Sequence, residues 1–441
     1  MAKIAPLPDR PPALDPNGER YWDERDLEAE MRRVFEICHG CRMCVGYCGT
    51  FPDIFARVDR DVDQRGATGA EMLDDAAFSS ASDLCWQCKL CYVKCPYTKD
   101  EGHEWMIDVP RLLQREKAQR ARRHGITLQD RVLGEPQVVG WLTAGPPARV
   151  ANFVHANRLV RRAMQVAAGI AADFPLPPFG ETSFARWFAR RQPLAGAGSR
   201  GTVALFATCL GDYNVPRIAA SAVRVLEKNG WAVLRPEQTC CGMPNLDGGD
   251  TDSARAKAAA NVASLVEQVD RGRKVLSLQP TCGYAIRKEW PELLGTPESR
   301  RVAAATVDVM EFLEMQRREK ALARDFTKGF GRVAYHAACH LRAQKIGYPA
   351  VRVLSVLPDT EVELVEQCSA VDGTWGMKTQ YYDMGRRYAQ KLARGIDAAD
   401  PALVVTDCAL SARRILFENG RSPLHPIEAL AEAYGIAPDV R

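Results

Sequence analysis

Gly201-Thr-Val-Ala-Leu-Phe-Ala-Thr-Cys209-Leu210 comes back 130 residues later as Gly331-Arg-Val-Ala-Tyr-His-Ala-Ala-Cys339-His340. The segments downstream of each stretch repeat too. Trp231-Ala-Val-Leu, leading to Cys240-Cys241-Gly242, is matched by Val362-Glu-Leu-Val, leading to Cys368-Ser369. Val275-Leu-Ser-Leu-Gln-Pro-Thr-Cys282 is matched by Leu403-Val-Val-Thr-Asp-Cys408. A repeat at near-constant offset means one supersecondary unit used twice. Each unit reads strand, helix, strand, helix, strand, which predicts a small parallel sheet. The cysteines fall where strands end, the edge at which open α/β sheets bind ligands. Two lobes, residues 201–330 and 331–441, are therefore expected to face each other across a shared cleft.

Working back from the repeat, two denser cysteine runs precede it: Cys38, Cys41, Cys44, Cys48 and Cys85, Cys88, Cys91, Cys95. With the lobe sets Cys209, Cys240, Cys241, Cys282 and Cys339, Cys368, Cys408, they account for all 15 cysteines. Each run is Cys-x2-Cys-x2-Cys-x3-Cys, and in two-cluster bacterial ferredoxins the fourth cysteine of such a run ligates the other cluster. Carried over by position, cluster one takes Cys38, Cys41, Cys44 and Cys95, and cluster two takes Cys85, Cys88, Cys91 and Cys48. Structural zinc is the competing reading, but zinc knuckles have no use for a third cysteine at the same spacing. Two [4Fe–4S] clusters are expected. Cys95 is followed by Pro96 as that pattern requires, whereas Cys48 is followed by Gly49. Both runs are expected in tight turns, with Tyr47, Trp86, Tyr92 and Tyr97 covering the sulfurs and His39 at the surface.

The fold class is α+β and multi-domain: a helical two-cluster ferredoxin domain, then two repeated α/β lobes. Residues 1–20, rich in proline and charge, read as an irregular arm. Residues 21–110 form the cluster domain, because Leu27, Met31, Val34 and Phe35 recur at helical spacing and residues 49–84 lack strand alternation. Residues 111–200 read as a basic helical connector. Arg111 to His124 carries six Lys or Arg against one Glu, a solvated face or a docking face for an acidic redox partner. Phe153, Leu159, Val160 and Val166 suit a buried amphipathic helix or a partner interface, with a membrane surface as the alternative.

The charged fraction of 26% and net charge of +4 are those of a soluble globular protein and do not point to nucleic acid. The start lacks a signal peptide and no run of about 18 apolar residues exists, so a cytoplasmic protein is expected, at most peripheral at the inner face of the membrane. Thiols there stay reduced, which favours metal sites over disulfides. There is no Gly-x-Gly-x-x-Gly after a strand and no phosphate loop, so a dinucleotide or flavin fold is not evident and an electron exchange partner is expected.

The doubled unit, with Cys240-Cys241-Gly242-Met243-Pro244 and the later Cys282, resembles the cysteine-rich CCG domain. That domain occurs in the heterodisulfide reductase B subunit, in the C subunit of anaerobic glycerol-3-phosphate dehydrogenase, and in iron–sulfur subunits of glycolate and lactate oxidation. Two ferredoxin runs followed by two such domains is the layout of the glycerol-3-phosphate dehydrogenase component. The resemblance implies an iron–sulfur electron-transfer subunit, an oxidoreductase component. It would pass electrons from a flavoprotein dehydrogenase of glycerol-3-phosphate or 2-hydroxy-acid type to a quinone or protein acceptor. Alternatives are a disulfide reductase acting at Cys240 and Cys241, or a donor to a rubrerythrin-like peroxide-reducing protein. The family pattern ends each lobe with Cys-x2-Cys, but Gln279 and Val405 stand at the first positions, and Ser369 replaces a cysteine of the pair. The first lobe thus offers four thiolates, for a further cluster or zinc. The second offers three, with His336, His340 or Asp407 as candidates to complete them.

Overall fold

The computed structural model describes residues 7–8, 10–371, 373–438 and 440; the sequence reading of an irregular arm at residues 1–6 lies outside them. Residues up to Arg131, with Asn245–Asp252, form one compact unit, and Val132–Pro244 with Ser253–Arg441 form the other.

The first unit is helical throughout. Helix α1 (Glu24–Cys41) starts at Asp23, whose carboxylate accepts from the Arg25 and Asp26 amides, and stops at Arg42 in the left-handed region. Its buried stripe is Leu27, Met31, Val34, Phe35 and Ile37. Cys38 and Cys41 therefore sit on the last helical turn, one turn apart, rather than in the turn the sequence suggested. Helices α2 (Thr50–Arg65) and α3 (Asp75–Leu84) fill the interval between the runs, and Cys91 lies on the short α4 (Leu90–Lys94).

Helix α5 (Val109–His124) corrects the reading of the basic stretch. It is capped by Asp108, and residues 112–119 are buried. Arg115, with no exposed side chain, donates to the carbonyls of Arg20, Tyr21 and Asp23 and pairs with Asp26 at 2.9 Å. Arg120 pairs with Asp83 and Glu116, Arg123 with Glu24, and Arg122 lies 4.7 Å over the Trp22 ring. Gly249 (φ +85) passes so close that a Cβ there would lie 2.5 Å from the Lys117 carbonyl oxygen. The middle of the helix is an internal strut, while Arg122, Arg123 and His124 at its end stay exposed.

The second unit begins with short helices: α6 (Leu128–Leu133, entered from the first unit), α7 (Pro136–Thr143), α8 (Ala148–Ala156) and α9 (Arg158–Ala168). Their apolar face is not buried: Phe153 is 76%, Leu159 75% and Val166 89% exposed, with Trp141 and Val150 alongside. The expectation of a buried amphipathic helix fails here. Among the described residues no helix is long and apolar enough to cross a membrane.

The repeat then builds two parallel sheets. Strands β1 (Gly201–Phe206), β2 (Trp231–Leu234), β3 (Val275–Ser277) and β4 (Thr306–Asp308) lie in the order β2-β1-β3-β4. Strands β5 (Gly331–His336), β6 (Thr360–Val365) and β7 (Leu403–Thr406) lie in the order β6-β5-β7. All pairings are parallel, with Ala204 opposite Val275 and Tyr335 opposite Val405. Val203, Leu205, Val333, Tyr335 and Val405 enter one continuous apolar core shared by both lobes. The carboxyl edges meet in direct contact: Thr281 hydrogen-bonds His340 at 2.9 Å, Tyr284 stacks on that ring, and Gln279 accepts from the Ala409 amide. The lobes face each other as expected, across this bonded seam.

Candidate metal centres

The four sulfur-bearing residues Cys38, Cys41, Cys44 and Cys95 line one cavity of the first unit, walled by Phe55, Tyr97 and Ile107. Cys48, Cys85, Cys88 and Cys91 line a second, walled by Trp86, Val109 and Leu113. Each run therefore sends its fourth cysteine to the other run's cavity. Atom-free space is about 350 Å³ in the first and about 310 Å³ in the second, part of it open to solvent. Phe51 of α2 lines both.

The sulfurs repel one another both within each set and between the two sets, as Cys44 with Cys48 and with Cys91. Burial, then repulsion from Cys95, Cys44 and Cys41, drives the Cys38 thiol far up. The Cys44 thiol is raised to about 12 by burial and by Cys95, Cys41 and Cys48. Cys91 rises through burial and through Cys85 and Cys48. Four mutually repelling sulfurs in an apolar wall cannot ionise together unless a cationic group sits among them. The donor sets fit an iron–sulfur group, which brings that charge.

Two residues here carried no flag in the sequence. Gln87 and Lys89 adopt positive φ (54° and 63°), which turns the chain between cysteines. The Gln87 amide donates to Cys85 Sγ at 3.4 Å, and the buried Lys89 Nζ donates to Gln87 Oε1 at 2.7 Å while lining the second cavity. Tyr47, Trp86 and Tyr97 cover the sulfurs as anticipated, whereas Tyr92 lines neither cavity. His39 bonds Asp59 at 2.8 Å and does not line the first cavity.

In the first lobe, contacts between thiols run from Cys209 to Cys240, Cys241 and Cys282. Donation from Cys209 and Cys241, and from the Gly242 amide, holds the Cys240 thiol well below its ordinary value, while Cys209 and Cys241 rise. Gly242 (φ +84) makes this turn, where a Cβ would meet the Ala254 backbone at 3.1 Å. Gln137 of α7 accepts from the Thr239 hydroxyl and the Cys240 amide, Asn261 donates to the Cys240 carbonyl, and Trp290 to the Cys241 carbonyl. Gln137 lies in what reads as connector, so no local signal announced it. Cys240, at 1% exposed, and Cys241 and Cys282 are buried.

The second lobe also carries its cysteines beyond the strand ends. Cys368 Sγ accepts from the Ala370 amide and Cys408 Sγ from the Ser411 amide. Ser369, in the position of the missing cysteine, bonds Ser411 at 2.9 Å. His336 is fully committed to the core: Nδ1 meets Thr406 Oγ1 at 2.8 Å, the Gln367 backbone takes another bond, and burial lowers its pKa to about 4. Asp407 accepts from the Tyr335 hydroxyl. Burial, with Asp407 nearby, raises Asp308 to about 8.

Residues 203–287 and 333–410 match the cysteine-rich domain CCG, and residues 31–124 match the Fer4-like domain of citrate utilization protein B. A Fer4-like match thus precedes two CCG matches along the chain, the order of its cysteine sets. It is homologous to the C subunit of the anaerobic glycerol-3-phosphate dehydrogenase of Escherichia coli K12, at 29% identity over 318 residues, 70% of this chain and 77% of the relative. Lactate utilization protein A of Geobacillus thermodenitrificans is 29% identical over 187 residues, 40% of this chain and 74% of that one. An uncharacterized iron–sulfur protein of Methanococcus maripaludis is 28% identical over 212 residues, 47% of this chain and 39% of the relative.

Proposed function

We propose that this protein is the iron–sulfur subunit of a larger redox system. It takes electrons from a flavoprotein dehydrogenase of glycerol-3-phosphate or 2-hydroxy-acid type and delivers them to an acceptor at the cysteine-rich domains. The observation that carries the reading is the pair of four-cysteine cavities sharing Phe51 as a wall. Bound there, [4Fe–4S] groups supply one-electron transfer, which a two-electron dehydrogenase needs in pairs. The chain's own part is to supply eight thiolates, exclude water with Tyr97 and Trp86, and aim the Gln87 amide at Cys85. The relatives' names, a dehydrogenase subunit and a lactate utilization protein, support the donor class.

A disulfide reductase is the second reading, since hydrogen bonds from Cys209, Cys241 and the Gly242 amide lower the Cys240 thiol below its ordinary value. Burial of Cys240, Cys241 and Cys282 argues for the first, because a disulfide substrate needs access. The exposed apolar face of α8 and α9 supports peripheral membrane contact, where a quinone acceptor resides. To test the donor, the iron-loaded protein is mixed anaerobically with a purified flavoprotein of either type and its substrate. Bleaching of the iron–sulfur absorption with one pair is expected. No bleaching with glycerol 3-phosphate, lactate or glycolate systems sinks the donor class.

A further inference from the structure

Away from the cysteines, the second unit contains a cavity of about 570 Å³ whose charged lining residues are four arginines and one aspartate. Arg158, Arg161 and Arg162 come from α9 and Arg413 from the helix after β7, and Asp173 is the one carboxylate lining it among the described residues. His155 also lines it; burial and the Arg161 charge lower its pKa and favour the neutral ring. Four guanidinium groups against one carboxylate make a net-positive pocket, which Asp173 offsets only in part.

The buried members are not spent on each other. Arg161, only 6% exposed, donates through Nε and Nη2 to the carbonyls of Ala171, Ala172 and Phe174, which fixes the group in place. Its Nη1 is buried without a partner, as is Nε of Arg413. The guanidinium groups that line the cavity suit an oxyanion, since the planar fork matches phosphate geometry. Phe174 and Leu176 give the cavity an apolar wall beside the cationic one.

We propose that this cavity binds a phosphate group, held by the arginines that line it, Arg158, Arg161, Arg162 and Arg413. The source is either the headgroup of an anionic phospholipid or a soluble phosphate compound. Helix α9, which supplies three of these arginines, exposes Leu159 and Val166, so a headgroup source joins the pocket to the apolar face. The site is independent of the iron–sulfur chemistry.

The test titrates inorganic phosphate into the iron-loaded full chain by calorimetry, and floats the same protein with phosphatidylcholine vesicles with and without phosphatidylglycerol. Arg413→Gln and the double variant Arg158→Gln/Arg162→Gln are compared with Arg60→Gln, an exposed arginine of α2 outside the pocket. Iron content and circular dichroism verify folding. Arg161 is left intact because its carbonyl bonds are structural. Saturable phosphate binding, weakened roughly tenfold or more by either pocket variant and untouched by Arg60→Gln, is expected. If phosphate also releases the protein from phosphatidylglycerol vesicles and the pocket variants float poorly, the source is the headgroup. If vesicle binding ignores both, the source is soluble. Absence of phosphate binding together with unchanged flotation of the pocket variants overturns the proposal. So does an equal loss in Arg60→Gln, which would reduce the effect to general charge.

Discussion

Arg115 shows how a charge count misleads at the scale of one residue. Six basic residues in one helix read as a surface, yet this side chain is buried under three carbonyls of the turn at Arg20–Asp23. Composition records the donors and is blind to the carbonyl acceptors that tertiary structure brings to them. Arg115→Met should destabilise the protein by about 3 kcal/mol or more in chemical denaturation, since Asp26 and the carbonyls lose their partner; a change near zero would return α5 to the surface. Asp308 offers a pH test with a definite sign. Its folded pKa of about 8 lies above the ordinary carboxyl value, so its contribution is complete below about pH 4 and is lost as pH rises through about 8. Asparagine keeps the cap on the Met310 amide without the charge. Asp308→Asn should therefore gain on the wild type by about 1.4 kcal/mol or more between about pH 5 and about pH 8. A pH-independent difference would contradict that. Lys89 places a cationic side chain against the second cavity, and Lys89→Gln should lower the potential of the group held there, read by redox titration. An unmoved potential would separate Lys89 from that site.

At the scale of elements, the sequence repeat was a reliable guide because strand, helix and cysteine recur together. Cys209, Cys240 and Cys282 do lie past the ends of three parallel strands, and Cys339, Cys368 and Cys408 past the ends of three more. The strand Thr306–Asp308 escaped notice because the three-stranded second sheet has no counterpart of it, so the repeat could not mark it. The apolar run of α8 and α9 was visible, but which side of it meets solvent is decided by neighbours that periodicity does not name. If that face meets a bilayer, the triple variant Phe153→Ser/Leu159→Ser/Val166→Ser should lose most vesicle binding while keeping its iron. Undiminished flotation would leave the face to a protein partner. In the first lobe, Cys240→Ser/Cys241→Ser should leave the ferredoxin-type centres intact by EPR and abolish reduction of the acceptor. Full turnover would make those thiols architectural.

At the scale of the molecule, two compact units divide the chemistry: one carries the ferredoxin-type runs, the other both cysteine-rich lobes. The exchange of fourth cysteines is a property of the whole first unit, because Cys48 and Cys95 are separated in sequence from the cavities they line by two helices and a loop. Spacing alone allowed it to be expected, while the covering residues Phe51 and Phe55 and the turn at Gln87 and Lys89 depend on packing that no motif encodes. The decisive measurement is iron, sulfide and zinc quantitation with EPR on anaerobically prepared wild type and Cys95→Ala. The account predicts about eight irons with matching sulfide in the wild type, four for each centre, if the lobes hold none. In the variant it predicts loss of the signal belonging to Cys38, Cys41 and Cys44, with the other retained. Zinc without sulfide, or loss of the Cys85–Cys91 centre alone, would contradict it.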